Sequence, residues 1–255
     1  MEGESKHRWA LVGGGSGGIG RAISKALAEG GWNVAVTFNS NEAGALETVS
    51  RVELAGGEAR TLQVDLADGS ATAAAVDDLA GAVDLSGLVY AAGPRIPMDY
   101  FSNLGHEQFS RIVDIDLKGC FNLLQSGVRH LREREGSVIA LSTQAVARYA
   151  KRDSLSSIPK SAVEGIVKAI AVEEGRYGVT ANTIGVGMLE GEGMWESMNE
   201  SGHYTEAVLA AAMAATPMRR FGSPEDIARM ARFLMSEEAA WVTGQTIYVD
   251  GGYSV

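Results

Sequence analysis

The sequence predicts a single α/β domain, residues 1–255, in which a doubly wound parallel sheet carries helices on both faces. Two observations lead to this fold: short apolar runs alternate with helical segments, and no repeat or linker divides the chain. Strands that are buried on both faces read as continuous apolar runs, and strand–helix alternation produces a parallel sheet with right-handed crossovers. A chain of 255 residues is within the size range of one such domain.

The elements follow one another in a regular order. The first strand, residues 9–12, ends at a cluster of glycines, and a helix over residues 19–29 follows it. The second strand, residues 33–38, precedes a second helix around residues 43–54. Apolar runs bounded by glycine or polar loops predict the remaining strands. These runs are residues 60–64, 87–90, 137–142 and 179–184.

Composition and charge exclude several classes of function. A formal net charge of -10 leaves no basic stripe that could neutralise phosphates, so we expect no nucleic-acid partner. Residues 1–6 are too polar for a signal peptide and no apolar run reaches 18 residues, so we expect a cytoplasmic protein without membrane association. The single cysteine, Cys120, lies in an apolar run and is expected to be a buried, inert thiol. We expect no metal site, because the histidines lack ligand spacing: His7, His106, His130 and His203.

The loop after the first strand indicates a dinucleotide cofactor. A glycine run between a strand and a helix lets the backbone approach a pyrophosphate, whose charge then lies at the helix N-terminus. The residues with this predicted role are Gly14, Ser16, Gly18, Ile19 and Gly20. This pattern predicts a Rossmann-type domain.

The spacing Gly14-x-x-x-Gly18-x-Gly20 resembles the fingerprint of the classical short-chain dehydrogenase/reductases, with Gly13 at that family's usual threonine. The stretches 217–228 and 241–252 are also similar to that family, so the resemblance covers nearly the whole chain. By this resemblance Asp65 and Leu66 contact the adenine side of the cofactor. The motif Tyr90-Ala91-Ala92-Gly93 stands where the family has Asn-Asn-Ala-Gly. The resemblance implies that Ala91, Ala92, Gly93 and Leu189 also contact the cofactor.

The end of the second strand favours NADP over NAD. An acidic residue there would bind the ribose 2′-hydroxyl and repel a 2′-phosphate. The strand ends instead at Phe38, followed by the neutral hydrogen-bonding residues Asn39 and Ser40. Neither Gly17 nor Asn39 supplies an arginine for the phosphate, so NAD stays as the alternative cofactor.

The catalytic positions depart from the family pattern. The family uses a serine, a tyrosine and a lysine for proton transfer, with the tyrosine four residues before the lysine, and an asparagine that supports a water relay. By resemblance the lysine is Lys160, which also binds the nicotinamide ribose. The tyrosine position is Ser156, the serine position is Thr143 and the asparagine position is Asp116. The chain therefore has a degraded catalytic tetrad.

These departures differ in how strongly they change the chemistry of the site. Thr143 keeps a hydroxyl that can bond a carbonyl oxygen. Ser156 is a far weaker acid than a phenol and is too short to replace one. Pro159 is expected within the first helical turn, where it would shift Ser156 relative to Lys160. Tyr149, in a nearby loop, is the alternative acid.

Part of the pattern resembles the 2,4-dienoyl-CoA reductases, a branch that dispenses with the catalytic tyrosine. Threonine and serine occupy the positions of Thr143 and Ser156 in its mitochondrial type, and its peroxisomal type has an aspartate at Asp116. The substitute tyrosine of the mitochondrial type corresponds to Ala145 here. The loop 187–193 is similar to that branch's substrate loop, although Val186 replaces its proline.

The leading hypothesis is an NADP(H)-dependent reductase of a conjugated C=C or C=O bond in a small or thioester-linked substrate, with a non-standard proton source. One alternative is an ordinary ketoreductase that uses Tyr149 or water. A second alternative is an inactive dinucleotide-binding sensor or partner protein.

Two features concern the surroundings of this site. Residues of about 187–216 are expected to form a substrate loop or lid, with Met194, Trp195, Met198 and Tyr204 on its apolar side. A wide apolar stripe on the lysine helix predicts a homotetramer or homodimer, in agreement with the family resemblance. The stripe consists of Ala162, Val163, Ile166, Val167, Ile170 and Ala171.

Overall fold

A computed structural model describes residues 8–191, 194–200 and 202–255. His7, residues 192, 193 and 201 of the expected lid, and the side chain of Met194 lie outside this description. Within the described residues the strands form one parallel sheet in the order β3-β2-β1-β4-β5-β6-β7, which confirms the predicted fold class. The strands are β1 Trp9–Gly13, β2 Asn33–Phe38, β3 Ala59–Gln63, β4 Leu85–Tyr90, β5 Ser137–Thr143, β6 Thr180–Val186 and β7 Thr246–Val249.

Helices connect the strands. A π-helical turn, Val113–Lys118, joins two of the helices into one continuous segment. The α-helices are α1 Gly18–Glu29, α2 Glu42–Leu54, α3 Gly69–Ala82, α4 His106–Ile112, α5 Gly119–Val128, α6 Ser154–Glu174, α7 Met194–Glu200, α8 Glu206–Ala215 and α9 Pro224–Leu234. Within the described residues, no helix has the length and apolar character that a membrane span requires.

Both faces of the sheet are covered. On one face, Ile23 of α1 and Ile227 of α9 are buried against strand residues such as Val36. On the other face, Leu123 of α5 and Val163 of α6 pack against the same sheet. Two apolar layers of this kind exclude water from the strands, which explains why the strands read as continuous apolar runs.

The order of the strands reverses between β1 and β4. From β1 the chain first builds outward to β2 and β3, and from β4 it builds in the opposite direction. In open α/β sheets a crevice forms at such a point, outside the carboxyl ends of the strands. The glycine loop after β1 and the residues after β4 therefore share one edge of the sheet.

The apolar stripe of α6 serves mainly the core of its own chain. Val163, Val167 and Ala171 are buried, and Ile166 and Ile170 pack partly buried against the same cluster. Ala162 is exposed. Since one chain covers most of the stripe, the stripe is a weaker argument for a subunit interface than the sequence suggests.

Cys120 lies in α5 and is fully buried, as expected. Burial raises the pKa of its thiol to about 12. Because the thiolate is the reactive form, this cysteine is inert at neutral pH.

The expected lid contains two helices, α7 and α8, beyond the carboxyl end of β6. Trp195 of α7 contacts two other aromatic rings, those of Tyr204 and Phe221, each with 5.3 Å between ring centroids. Met198 is buried. These contacts attach α7 to the segment that precedes α9.

Candidate active site

The glycine loop is packed too closely for side chains at two of its positions. Gly14 has φ +78°, and a Cβ atom there would lie 2.5 Å from the Cα atom of Ala92. A Cβ atom at Gly20 would lie 2.3 Å from the carbonyl oxygen of Gly14. The Gly14 N–H donates to Thr37 Oγ1 at 3.1 Å, which fixes the loop against β2. Glycine is therefore required by space at both positions and by backbone conformation at Gly14.

The start of α1 fits a phosphate group. Its N-cap residue is Gly17, which brings no side chain to accept hydrogen bonds from the first N–H groups of the helix. Unpartnered N–H groups at a helix N-terminus, together with the helix dipole, bind anions. The cradle of Gly14, Gly18 and Gly20 leaves room for a pyrophosphate at this point, so these residues fit a dinucleotide.

The other predicted cofactor residues lie at the same edge of the sheet. All of them follow the carboxyl end of a strand, which brings them to the crevice although they are far apart in sequence. Asn39 and Ser40 follow β2, Asp65 and Leu66 follow β3, Ala91, Ala92 and Gly93 follow β4, and Leu189 follows β6.

The segment after β2 is neutral and polar. Asn39 and Ser40 are exposed, whereas Phe38 is buried in the core. Asn41 caps α2 by accepting from the Gly44 N–H, and its amide donates to the Ser16 carbonyl at 3.3 Å. No carboxylate lies in this described segment before Glu42, so nothing within it would repel a ribose 2′-phosphate.

Lys160 and Asp116 form a buried ion pair. The Lys160 Nζ atom lies 2.8 Å from Asp116 Oδ1, and the two side chains are 12% and 1% exposed. Asp116 lies in the π-helical turn and Lys160 lies on α6. Such a pair is costly to desolvate, and removing one partner leaves an uncompensated charge.

Tyr90 completes this cluster. Its hydroxyl donates to the Asp116 carbonyl oxygen at 2.8 Å and lies 3.4 Å from Asp116 Oδ1. Its ring centroid is 5.4 Å from Lys160 Nζ, within cation–π distance. Burial and the Asp116 charge raise the pKa of Tyr90 well above its usual value. The phenol therefore stays protonated and acts as a donor.

The second carboxylate oxygen of Asp116 has no partner. Asp116 Oδ2 is buried, and within the described residues no group donates a hydrogen bond to it. Buried carboxylate oxygens are normally satisfied by a donor or by an ordered water. This atom can therefore accept a hydrogen bond from an ordered water.

Thr143 lies at the end of β5, at the same edge of the sheet. Its Oγ1 accepts from the Ala145 N–H at 3.2 Å, which leaves its own proton available for another acceptor. The preceding residue, Ser142, donates to the buried Glu164 Oε1 of α6 at 2.8 Å. This bond ties the end of β5 to α6 and so helps fix Thr143 relative to Lys160.

Ser156 lies in the first turn of α6, four residues before Lys160 and thus on the same side of the helix. The expectation for Pro159 is wrong: α6 begins at Ser154, so Pro159 is the sixth helical residue and lies in the second turn. The helix tolerates it although the Leu155 carbonyl loses its partner four residues on. The register of Ser156 and Lys160 is kept.

Tyr149 is directed away from this cluster. Its side chain is 61% exposed, and its hydroxyl lies 3.4 Å from Ser161 Oγ. Ser161 leaves α6 about 100° around the helix from Lys160. The structure gives no contact between Tyr149 and the Lys160–Asp116 pair among the described residues.

Asp153 is a further acidic group near the expected lid. It is the N-cap residue of α6, but its side chain caps no N–H group of the helix. Burial raises the pKa of Asp153 to about 7. Burial is also the main cause of the raised pKa of Tyr204 in the expected lid, and the charge of Asp153 raises that pKa further. Asp153 therefore lies close enough to Tyr204 for its charge to affect that phenol.

Sequence reasoning missed two of these residues, Tyr90 and Asp153. Tyr90 stands in the Tyr-Ala-Ala-Gly motif, and its departure from asparagine was the available signal. Asp153 gave no signal, because the burial of its side chain depends on tertiary contacts.

Comparisons with known proteins agree with this geometry. The family model described as Enoyl-(Acyl carrier protein) reductase matches residues 14–254. The chain is 32% identical over 248 residues to a 3-oxoacyl-[acyl-carrier-protein] reductase of Staphylococcus aureus, covering 95% of this chain and 96% of that protein. The chain belongs to the short-chain dehydrogenase/reductase family. It is therefore an NAD(P)-dependent oxidoreductase with a Rossmann-type fold.

Further relatives and solved structures are similar to this chain. A probable 2,4-dienoyl-CoA reductase of Bacillus subtilis is also 32% identical, with 95% of this chain and 94% of that protein covered. A short-chain dehydrogenase/reductase from Mycobacterium ulcerans superposes with a TM-score of 0.89 at 29% identity, covering 97% of this chain and 90% of the other. A metagenomic blue fluorescent protein in complex with NADPH superposes with a TM-score of 0.87 at 27% identity, covering 97% and 98% of the two chains. A Brucella melitensis 3-oxoacyl-[acyl-carrier protein] reductase with bound NAD superposes with a TM-score of 0.85 at 28% identity, covering 98% of this chain and 92% of the other.

Proposed function

We propose that this protein is an NADP(H)-dependent reductase that acts on a conjugated C=C or C=O bond of a small or thioester-linked substrate, without a catalytic phenol. The observation that carries this proposal is the buried pair of Lys160 and Asp116 one helical turn from Ser156. The pair retains a cation at the place where reaction occurs in this family, although the family's tyrosine position holds a serine.

The bound dinucleotide supplies the hydride in such a reaction. The glycine loop would hold its pyrophosphate, and Lys160 would bind the nicotinamide ribose. Thr143 would donate a hydrogen bond from its hydroxyl to the substrate carbonyl oxygen, where negative charge develops. The Lys160 ammonium stabilises the same charge electrostatically, a contribution that is large in a site shielded from water.

The missing phenol favours reduction of a conjugated C=C bond over a ketone. Hydride addition to a conjugated C=C bond places the charge on the carbonyl oxygen as an enolate, which hydrogen-bond donors stabilise without transferring a proton. The proton then goes to carbon and can come from water. A ketone, in contrast, yields an alkoxide that needs a proton at the oxygen itself, which is the usual task of a general acid. The likeness to a probable dienoyl-CoA reductase supports this preference.

In this proposal Asp116 helps to supply protons to the site. Its Oδ2 atom is free to accept a hydrogen bond from a water, and its Oδ1 atom holds Lys160. Protons lost from the site during turnover are replaced through this carboxylate and its water.

An ordinary ketoreductase is the second candidate, because a 3-oxoacyl-[acyl-carrier-protein] reductase is equally similar in sequence. Water would then be the acid, since Tyr149 contacts Ser161 instead of the Lys160–Asp116 pair. The two activities differ in substrate, so one experiment separates them.

That experiment compares NADPH oxidation with 2-enoyl, 2,4-dienoyl and 3-oxoacyl thioesters of equal chain length. Transfer of deuterium from 4-deuterated NADPH to the product identifies the reduced bond. We expect turnover on the conjugated C=C substrates and at least tenfold less on the 3-oxoacyl substrate. Turnover only on the 3-oxoacyl thioester would favour the ketoreductase. Binding of NADPH with no turnover on any of them would favour the sensor or partner protein.

NADP(H) is the proposed cofactor, because the segment after β2 carries Asn39 and Ser40 and no carboxylate. Solved relatives contain either NADPH or NAD, so the family alone does not decide. Calorimetry should give a Kd for NADPH below that for NADH. An NADH Kd tenfold below that of NADPH would overturn this choice.

A lid over the substrate and a homotetrameric or homodimeric assembly complete the proposal. The aromatic contacts of Trp195 support the lid, since they hold α7 beside the strand edge where the cofactor residues lie. Exposed apolar side chains on the α4–α5 segment, such as Phe109 and Phe121, support an assembly. Light scattering that gives a monomer at micromolar concentration would contradict the assembly.

A further inference from the structure

Two departures from the family pattern meet in space. Tyr90 stands at the first asparagine of the family's Asn-Asn-Ala-Gly motif, and Asp116 stands at the family's catalytic asparagine. The two positions are 26 residues apart on different elements, yet the Tyr90 hydroxyl lies 2.8 Å from the Asp116 carbonyl oxygen. We infer that Tyr90 is a positioning residue that fixes the Asp116 carboxylate on the Lys160 ammonium. This inference rests on the proposed role of that pair.

The first argument is the rigidity of Tyr90. It is the last residue of β4, a central strand that pairs with β1 and β5, and its side chain is fully buried. A phenol anchored in this way has little freedom to follow the helix segment beside it. Its hydroxyl therefore serves as a fixed point for the groups that it contacts.

The second argument is the place of contact on the helix segment. The hydroxyl lies 2.8 Å and 3.2 Å from the consecutive carbonyl oxygens of Asp116 and Ile115, inside the π-helical turn. Such a turn replaces the i→i+4 hydrogen bonds of an α-helix with i→i+5 bonds and is frequently found at functional sites. A donor from the sheet at these carbonyls holds the turn in one position.

The third argument is the arrangement around the ammonium. The Asp116 carboxylate contacts Lys160 Nζ at 2.8 Å, and the face of the Tyr90 ring lies 5.4 Å from the same atom. Tyr90 thus contacts both members of the pair, one through its hydroxyl and one through its ring. Replacement by phenylalanine keeps the ring but removes the hydroxyl, so the two contributions can be separated.

The test measures how well the pair protects Lys160, without using enzyme activity. Formaldehyde and a borane reductant methylate lysine amines, and peptide mass spectrometry gives the rate at Lys160 relative to the exposed Lys168. We expect Tyr90→Phe to raise the relative rate about fivefold, because a displaced carboxylate releases the amine. Asp116→Asn should raise it at least as much. The double variant should react no faster than Asp116→Asn alone, because Tyr90 acts through Asp116.

The matched control is Tyr177→Phe. The Tyr177 ring also lies against cations, with Arg132 and Arg176 each 4.8 Å from its centroid, but it is remote from Lys160 in the fold. This variant should leave the Lys160 rate unchanged. If Tyr90→Phe fails to fold, Tyr90→Leu, which keeps the buried site apolar, takes its place and tests the hydroxyl and the ring together.

Three results would overturn the inference. They are an unchanged Lys160 rate in Tyr90→Phe, an unchanged rate in Asp116→Asn, or additive increases in the double variant. A lower melting temperature with an unchanged rate would show a purely structural role. If the parent protein reduces a thioester, Tyr90→Phe should also lower kcat about tenfold with little change in KM. If it reduces none, the methylation rates still decide the role of Tyr90, so the two proposals fail separately.

Discussion

The glycine loop and the Lys160–Asp116 cluster lie at the same edge of the sheet. The loop depends on its backbone, whereas the cluster depends on its side chains. The loop works through backbone: Gly14 and Gly20 are required because a Cβ atom would collide with Ala92 or with the loop itself. The cluster works through side-chain ends, namely an ammonium, a carboxylate and a phenol. A backbone site tolerates many changes around it, whereas a side-chain site changes its chemistry with each substitution. This difference explains why the cofactor pattern resembles the family closely while the catalytic pattern does not.

The largest effect is expected in the glycine loop. Gly18→Val should abolish binding of both NADPH and NADH, at least a hundredfold loss of affinity, because a side chain there occupies pyrophosphate space. Calorimetry measures this loss. Gly81→Val is the matched control, since Gly81 also lies in a helix and a Cβ atom there meets nothing within 4 Å. Equal NADPH affinity in Gly18→Val and the parent would show that the loop does not hold the pyrophosphate.

The next effect concerns the cluster. Asp116→Asn should lower turnover on an enoyl thioester by about 100-fold, the scale of a lost proton-transfer group, with the NADPH Kd nearly unchanged. Asparagine is chosen over alanine because it keeps the volume and an oxygen for Lys160. Ser156→Ala is the paired variant and should cost less than tenfold, since an aliphatic hydroxyl is too weak an acid to donate the proton. A larger loss in Ser156→Ala than in Asp116→Asn would reverse these two assignments.

A separate effect, on stability instead of turnover, is expected from Asp153. Its pKa is raised to about 7, above the ordinary value of 3.8, so the folded protein binds a proton that the unfolded chain releases. Stability is therefore lost as pH rises from about 4 to 7, up to an order of magnitude of 4 kcal/mol for three pKa units. Asp153→Asn should remove this loss and raise the Tm by several degrees at pH 8, with little gain at pH 4. Thermal unfolding at both pH values measures it, with the exposed Asp78→Asn as control. An equal gain at both pH values would rule out titration of Asp153 as the cause.

The smallest effect is expected at Tyr149. Tyr149→Phe should change turnover by less than threefold, because the hydroxyl faces Ser161 and solvent. Steady-state kinetics at saturating NADPH measures this. Loss of activity in this variant would make the loop tyrosine the acid and would require its loop to move into the cleft.

Much of the fold was predictable from the sequence, because strands can be recognised from short stretches of residues. The central strands β1, β2, β4 and β5 are largely apolar runs with glycine or polar ends, and the predicted and observed bounds of β1 to β6 differ by two residues at most, as at the start of β4. The cofactor residues could also be located, since each follows a strand end. Long-range contacts could not be predicted, because the meeting of Tyr90 with Asp116 depends on how β4 packs against a π-helical turn. The prediction for Pro159 was wrong for a local reason. Helix α6 already begins at Ser154, so the proline lies in its second turn instead of its first.

The aromatic contacts of the lid have a practical consequence. The chain has four tryptophans. Trp9 and Trp32 are buried in the core, Trp241 is 99% exposed, and Trp195 lies between Tyr204 and Phe221. Iodide quenches the exposed indole, and the two core indoles give a constant background. Trp195 supplies the rest of the signal, so a change in that signal would report a movement of the proposed lid.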